Sequence, residues 1–220
     1  YKNKRVKIQE TLLAKTKIIA LEQQALQAMM NPHFIFNVMN SIQHFITTKD
    51  TVMANQLLTG FARLIRKNLE ICNKSYISIE EELAYLTLYL SLEKLRFGNK
   101  LNYEITIDPQ IDKEETFIPS MLLQPFVENA IWHGIMPRET EGNIWIRLTV
   151  QNQNLLYICI EDDGVGIENS YKSKNNDHIS RGMELTRERI TLLNKFDTPI
   201  ELQVEQTIPS GTKVTISMAI

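Results

Sequence analysis

Residues 121–134 read MLLQPFVENAIWHG. The spacing of their apolar residues predicts a helix, and Gly134 is a typical residue to end it. Asn129 and His133 are four residues apart on that helix and share a face. An asparagine carbonyl suits Mg²⁺, which needs only one or two protein ligands when triphosphate oxygens and waters supply the others. A buried asparagine and histidine can equally satisfy each other, so this stretch alone leaves both interpretations open.

A second motif, EDDGVGI, occupies residues 161–167 at the end of an apolar strand predicted over 155–160. The Asp162 carboxylate can accept a hydrogen bond from an exocyclic amine. Gly164 and Gly166 allow the backbone to approach a ligand closely. Taken alone, the motif is also compatible with a turn or a calcium loop, although it lacks the other acidic positions of an EF-hand.

The third set of motifs consists of SRGMELTRER from Ser180 and SGTKVTI from Ser210. Gly182 is predicted to open a helix whose free N–H groups suit phosphate, and Gly211 and Thr212 form a turn before the last strand. Either motif by itself is more often ordinary turn chemistry.

The pattern beyond residue 100 predicts strands interspersed with helices. Apolar residues alternate along 144–150 and 214–218, and helical patterns lie at about 120–133 and 182–195. Because the regular βαβ rhythm is absent, we predict an α+β fold in which helices cover one face of a mixed or antiparallel sheet.

The pattern before residue 100 predicts helices. Residues 5–47 contain no glycine, and a seven-residue apolar repeat from Leu12 indicates a coiled-coil-like helix that Pro32 interrupts. A returning helix over 53–69 completes a helical hairpin. Ser78 and Glu81 have capping-box spacing at the start of a third helix, which Gly98 is expected to end.

The three C-terminal motifs, in this order, resemble the GHKL-type ATP-binding domain shared by gyrase, the ninety-kilodalton chaperone and histidine kinases. The resemblance implies that Asn129 holds Mg²⁺, with His133 counted among the nucleotide-binding residues, and that Asp162 recognises the adenine amino group. It implies that Gly164 and Gly166 shape the adenine pocket and that residues 168–181 form a lid over ATP. It also places Gly182 at the triphosphate, and Gly211 and Thr212 in the last box.

Two positions depart from that family. Ser180 stands where a glycine is common. Four residues before the Mg²⁺ asparagine, the ATPase branches carry a glutamate that activates water, and this chain has Pro125. Proline cannot act as a base, so phosphoryl transfer to a protein side chain is favoured over attack by water.

A candidate acceptor lies in MMNPHFIFNVMNSIQHF, which begins at Met29. Viewed alone, His33 beside Phe34 would more often be a packed core histidine. The strings NPHFIFN, MNSIQ and, later, YLSLEKLRF closely resemble the LytS-like branch of sensor histidine kinases, which implies that His33 accepts the γ-phosphoryl group and passes it to an aspartate of a response regulator. Phe34 occupies the position of the acidic residue of many other histidine kinases, so the general base is unassigned.

Three further polar residues near these strings leave their roles open. Asn37 lies one turn after His33 and either orients water for dephosphorylation or bonds locally. Glu93 and Arg96 belong to the family string, but their spacing equally suits a surface ion pair, so neither is given a catalytic role.

The composition of the chain argues against several classes of partner and site. The formal charge is −2, with 24 basic and 26 acidic residues. The chain therefore lacks the excess of basic residues that is typical of nucleic-acid-binding proteins. The two cysteines are far apart and suggest neither a zinc site nor a disulfide framework. No run is long enough to span a bilayer, yet residues 1–17 are strongly basic, which is either a solvated helix face or a segment just inside a membrane.

The resulting expectation is the cytoplasmic part of an inner-membrane sensor histidine kinase, anchored through an N-terminal sensor region outside this chain. The expected divisions are a juxtamembrane helix over 1–30, dimerisation and phosphotransfer helices over 31–99, and a catalytic ATP-binding domain over 100–220. Two hairpins would bury their apolar stripes as a homodimeric four-helix bundle. Its partner is a response regulator, for which the resemblance suggests the LytTR type. The alternatives are a GHKL-type ATPase or protein serine kinase, and a non-catalytic dimeric pseudokinase scaffold.

Overall fold

The computed structural model describes residues 32–72, 74–152, 154–166, 177–196 and 199–220. The predicted coiled-coil segment before Pro32 and most of the predicted lid lie outside the described residues. No helix in the described ranges is long and apolar enough to cross a membrane.

A helical hairpin opens the described chain. Helix α1 spans Pro32–Thr47 and helix α2 spans Thr51–Ile71. Asp50 begins α2, because its carboxylate accepts a hydrogen bond from the Met53 backbone N–H at 3.1 Å. Buried residues on α1 recur every four positions and pack against buried residues of α2, as the apolar spacing predicts: Phe34, Val38 and Ile42 on α1, Leu57 and Leu64 on α2.

Strand β1 (Tyr76–Ser78) leads into the third helix, α3 (Ile79–Phe97). Both bonds of the predicted capping box between Ser78 and Glu81 are present. Gly98 ends the helix with a φ of 59°, which glycine adopts without strain. Helix α3 is central, since it packs against the hairpin on one side and the sheet domain on the other. Towards the hairpin, a Cβ added at Gly60 of α2 would lie 2.7 Å from a methyl group of Leu92.

In the described part of the chain the main sheet has five strands. They lie in the order β2 (Leu101–Ile107), β4 (Gly142–Gln151), β5 (Leu155–Asp162), β7 (Thr212–Ala219) and β6 (Ile200–Gln206). Strands β2 and β4 run parallel, and the other pairs are antiparallel. A short strand β3 (Phe117–Pro119) pairs with β1 in a separate two-stranded sheet.

Among the described residues, three helical segments cover one face of the main sheet. They are α3, helix α4 (Gln124–Asn129) with the helical turn that continues it to Ile135, and helix α5 (Asp177–Phe196). Alternate strand residues point into this core, including Ile146, Ile160 and Ile216, which are at most 2% exposed. The structure confirms the predicted α+β class and the mixed sheet with helices on one face.

The domain boundary predicted between residues 99 and 100 falls just after α3. Helix α3 contacts both the hairpin and the sheet, and β1, which precedes it, pairs with β3 beyond the boundary. The division at this point therefore stays a prediction.

Candidate nucleotide site and phosphoacceptor helix

The segment carrying Asn129 consists of two kinds of helix. Helix α4 (Gln124–Asn129) begins with Pro125 in its first turn, where proline is tolerated, and continues as a π-helical turn over Ala130–Ile135. The buried Glu82 carboxylate of α3 accepts hydrogen bonds from the Met121 and Leu123 N–H groups just before α4, each at 2.9 Å. Burial raises the pKa of Glu82 to about 7, although these bonds oppose the rise.

Gly134 does not end this segment as predicted. It lies inside the π-helical turn, and its role is to permit close contact with the EDDGVG loop. A Cβ at Gly134 would lie 2.6 Å from Asp162 Oδ1, and a Cβ at Gly164 would lie 2.3 Å from the Gly134 Cα. The Val165 N–H also donates to the Gly134 carbonyl at 3.0 Å. Any side chain at Gly134 or Gly164 would therefore displace the Asp162 carboxylate or the loop.

Asp162 ends strand β5 and is 4% exposed. Its Oδ1 accepts from the Gly164 N–H at 2.9 Å, and Thr212, its register partner on β7, donates to it from backbone and side chain. Burial raises the pKa of Asp162 to about 6, while these donors lower it. Gly211, with a φ of 125°, allows close approach, since a Cβ there would lie 2.1 Å from the Asp162 carbonyl oxygen. Gly166, also in the left-handed region at 80°, lies against Gly211.

Asp163 anchors the EDDGVG loop to neighbouring residues, a role that the sequence did not indicate. Its two carboxylate oxygens accept from the backbone and side-chain nitrogens of Asn143, each at 2.8 Å. Arg138 forms an ion pair with it at 3.0 Å and donates to its carbonyl oxygen. Asp162 and Asp163 are therefore adjacent in sequence, yet the Asp162 side chain is buried and the Asp163 side chain anchors the loop to β4.

Asn129 has both side-chain polar atoms buried, and neither has a hydrogen-bond partner among the described residues. His133 therefore does not satisfy the Asn129 amide, which removes one of the two interpretations of this pair. Buried polar atoms normally have partners, so the amide is suited to a polar ligand or hydrated cation. His133 is half-buried, and burial lowers its pKa, which favours the neutral imidazole. Within the described ranges no group of three acidic, histidine or cysteine side chains could hold a metal ion.

Gly182 is placed differently from its prediction. It is the sixth residue of α5, which is described from Asp177, and so it lies within the helix instead of opening it. The first four N–H groups of a helix are the ones left without internal partners, and Gly182 lies beyond them. Its proposed contact with triphosphate stays a prediction.

The predicted acceptor, His33, is the second residue of α1. Phe34 beside it is 7% exposed and lies with its ring centroid 5.3 Å from that of Tyr89 on α3. Asn37 is half-buried and its carbonyl oxygen accepts from the Ser41 hydroxyl at 2.9 Å. His44 is exposed near the hairpin turn. This geometry does not decide between the two roles considered for Asn37.

Glu93 and Arg96 form a buried ion pair, contrary to the surface pair that their spacing allows. Arg96 Nη1 lies 2.6 Å from Glu93 Oε2, with side-chain exposures of 6% and 0%. Burial raises the pKa of Glu93 to about 7, and the Arg96 charge opposes this. Glu128, which precedes Asn129, accepts from the Gln124 side-chain amide at 2.7 Å, and burial raises its pKa to about 7 as well.

Known histidine kinases are similar in sequence to this chain. The family model described as "Histidine kinase" matches residues 21–101. The sensor histidine kinase YpdA of Escherichia coli is 38% identical over 147 residues, which are 67% of this chain and 25% of YpdA. The protein YwpD of Bacillus subtilis, whose name marks it as uncharacterised, is 33% identical over 201 residues, 89% of this chain and 69% of YwpD. The chain belongs to the histidine kinase family.

Within that family the chain is similar to LytS sensor proteins. LytS of Bacillus anthracis is 29% identical over 199 residues, 88% of this chain and 33% of LytS. The chain thus spans about a quarter of the length of YpdA and a third of that of LytS. Among solved structures, the histidine kinase domain of a blue-light activated kinase from Erythrobacter litoralis is 17% identical, covers 92% of this chain and 95% of that domain, and has a TM-score of 0.49.

Proposed function

We propose that this chain binds Mg²⁺-ATP beside Asp162 and transfers the γ-phosphoryl group to His33. The observation that carries the proposal is the setting of the Asp162 carboxylate. A buried carboxylate is held by Gly164 and Thr212, and three glycines let the backbone close in around it. A carboxylate in this setting accepts from a flat ligand that carries an exocyclic amine, which is the chemistry of adenine.

The polar end of the nucleotide would lie towards Asn129. Its buried amide, which has no hydrogen-bond partner among the residues that the structure describes, would hold Mg²⁺ together with phosphate oxygens and waters. The cation would supply charge neutralisation as the γ-phosphoryl group departs. Gly182 and the turn at Gly211 and Thr212 are the remaining candidates for phosphate and ribose contacts.

Transfer to a side chain is favoured over hydrolysis because Pro125 stands where a water-activating glutamate would be needed. A ring nitrogen of neutral His33 would attack the γ-phosphorus, a nitrogen–phosphorus bond would form, and the bond to the β–γ bridging oxygen would break. ADP leaves with that oxygen, and the imidazole loses its other ring proton to solvent or a base. The phosphohistidine would then transfer its phosphoryl group to an aspartate of a response regulator. A regulator of the LytTR type would fit this role.

A homodimer would bury an apolar stripe that the hairpin leaves exposed. Phe36, Met39 and Ile46 on α1 are 51–67% exposed, and Phe36 and Met39, three residues apart, share a face of the helix. Leu58 and Leu69 on α2 are 52% and 58% exposed. Two hairpins that join these faces would form a four-helix bundle. The full protein would be membrane-anchored, as the basic segment at residues 1–17 favours.

The test is incubation of the purified chain with Mg²⁺ and γ-labelled ATP, followed by treatment of the labelled protein with acid and with alkali. Acid-labile, alkali-stable label that His33→Gln abolishes is the expected result. Label that resists acid would indicate a serine kinase, and release of phosphate without protein label would indicate an ATPase. Nucleotide binding without either product would indicate a pseudokinase scaffold.

A further inference from the structure

Arg96 contacts three separate elements at the centre of the molecule. It forms the buried ion pair with Glu93 on its own helix, α3. Its Nε donates to the Ser41 hydroxyl of α1 at 3.4 Å. Its guanidinium carbon lies 5.7 Å from the ring centroid of Trp132, in the π-helical turn after Asn129. One buried side chain therefore joins the hairpin to the candidate nucleotide segment.

The two ends of this connection lie close to the proposed reacting groups along the chain. Ser41 is two helical turns after His33 on α1, and Trp132 is three residues after Asn129. A second contact runs alongside. Phe34, next to His33, packs on Tyr89, and the Trp132 indole N–H donates a hydrogen bond to the Tyr89 hydroxyl oxygen. Helix α3 is thus the common support for the histidine helix and the asparagine segment.

The chemistry of this position requires arginine. A guanidinium is planar, offers several donors in a fixed fork and stacks on aromatic faces, so one side chain can bind Glu93 and Ser41 and lie over Trp132. Phe97, 5.6 Å from Trp132 between ring centroids, also lies under the guanidinium. A lysine would keep the charge beside Glu93 but would lose the fork and the stacking.

We propose that Arg96 is a positioning residue for phosphoryl transfer, which fixes the helix that carries His33 relative to the segment that carries Asn129. This inference rests on the proposed function. It predicts that Arg96 sets the rate of transfer from bound nucleotide and leaves the affinity for nucleotide almost unchanged, since the contacts of Arg96 are with Glu93, Ser41, Phe97 and Trp132 and not with the loop at Asp162.

The test compares Arg96→Gln with Arg147→Gln, which breaks the exposed Arg147–Glu161 ion pair on the sheet and serves as the matched control. Affinity is measured with a fluorescent ADP analogue, and the rate of His33 labelling is measured at saturating Mg²⁺ and γ-labelled ATP. Arg96→Gln should lower the rate at least tenfold while affinity stays within twofold. Arg147→Gln should change neither, and Arg96→Lys should recover part of the rate.

A double variant separates positioning from the penalty of an unpaired buried Glu93. Glu93→Gln with Arg96→Gln removes both charges, so it should fold more stably than Arg96→Gln alone and still transfer slowly. Three outcomes would each overturn the inference. They are transfer at the wild-type rate by the double variant, transfer by Arg96→Gln that is faster than that of the wild-type chain, and a loss of affinity in Arg96→Gln that matches its loss of rate. Absence of His33 label in the wild-type chain would instead refute the proposed function and this inference with it.

Discussion

Asp162→Asn should separate nucleotide binding from folding, because the affinity for nucleotide should fall while the free energy of unfolding does not. The substitution keeps the shape of the side chain and an oxygen that can accept from Gly164. It replaces the other oxygen by an NH₂ donor, which would face the adenine amino group. Loss of a hydrogen bond to a charged group costs about 1.5–3 kcal/mol, so we expect affinity for nucleotide to fall roughly ten- to a hundredfold.

Stability should not fall with it. Burial raises the pKa of Asp162 from 3.8 to about 6, so at pH 8 the unliganded protein holds an unfavourable buried charge. At 1.36 kcal/mol for each pKa unit, removal of that charge is worth up to about 3 kcal/mol. Weaker bonds from Gly164 and Thr212 offset part of the gain. We therefore expect the free energy of unfolding at pH 8 to stay the same or to increase by at most about 3 kcal/mol.

Asp163→Asn is the matched comparison. It breaks the ion pair with Arg138 and places an amide donor opposite the Asn143 side chain, so it should cost about 1–2 kcal/mol of stability and change affinity less than threefold. The measurements are titration with a fluorescent ADP analogue and urea unfolding at pH 8. Unchanged affinity in Asp162→Asn would refute the adenine assignment, and destabilisation like that of Asp163→Asn would refute the account of the buried charge.

Three more predictions follow from the buried acids, the acceptor and the apolar stripe. The pKa of Glu128 is raised to about 7 from 4.5, so its stabilising contribution is complete below about pH 4.5 and is lost as pH rises through 7. Glu128→Gln should therefore reduce the fall in unfolding free energy between pH 5.5 and 8 by about 2 kcal/mol, whereas the exposed control Glu104→Gln should not. For the acceptor, His33→Gln should eliminate phosphohistidine and His44→Gln should spare it, and the opposite pattern in a labelling assay would move the assignment to His44. For the dimer, Phe36→Glu should shift the chain to a monomer in light scattering, while Gln56→Glu, on another face of the hairpin, should not; a monomeric wild-type chain at micromolar concentration would contradict the dimer.

Much of the fold was predictable because its signals are local and periodic. The capping box at Ser78 and the alternation along β4 and β7 each depend on a few neighbouring residues. The family resemblance assigned Gly164, Gly211 and Thr212 to one nucleotide site with Asp162, and in the structure all three lie close to Asp162 or its loop. The sequence did not indicate which strands are parallel, since β2 and β4 pair across the segment that carries Asn129.

The site could be predicted by residue type better than by geometry. The sequence suggested that Gly134 ends a helix. In the structure a glycine is needed there because any side chain would collide with Asp162, which is 28 positions away in sequence and so gives no local signal. Gly182 looked like the start of a helix that in fact is described from Asp177. In both cases a glycine indicates that a side chain is excluded or a turn allowed, and only the packing tells which.

The ion pair of Glu93 and Arg96 shows that sequence spacing also fails to tell whether a charged pair is buried or exposed. An i,i+3 pair on a surface helix contributes little, and its sequence pattern is identical to that of a buried pair. Here α3 is covered on both sides, so the same spacing places two charges in the interior, where loss of one partner is costly. Hydrophobic residues of similar size would fill this space with a smaller desolvation cost. A charged pair at the junction of α1, α3 and the Asn129 segment is therefore better explained by the alignment of these elements than by stability.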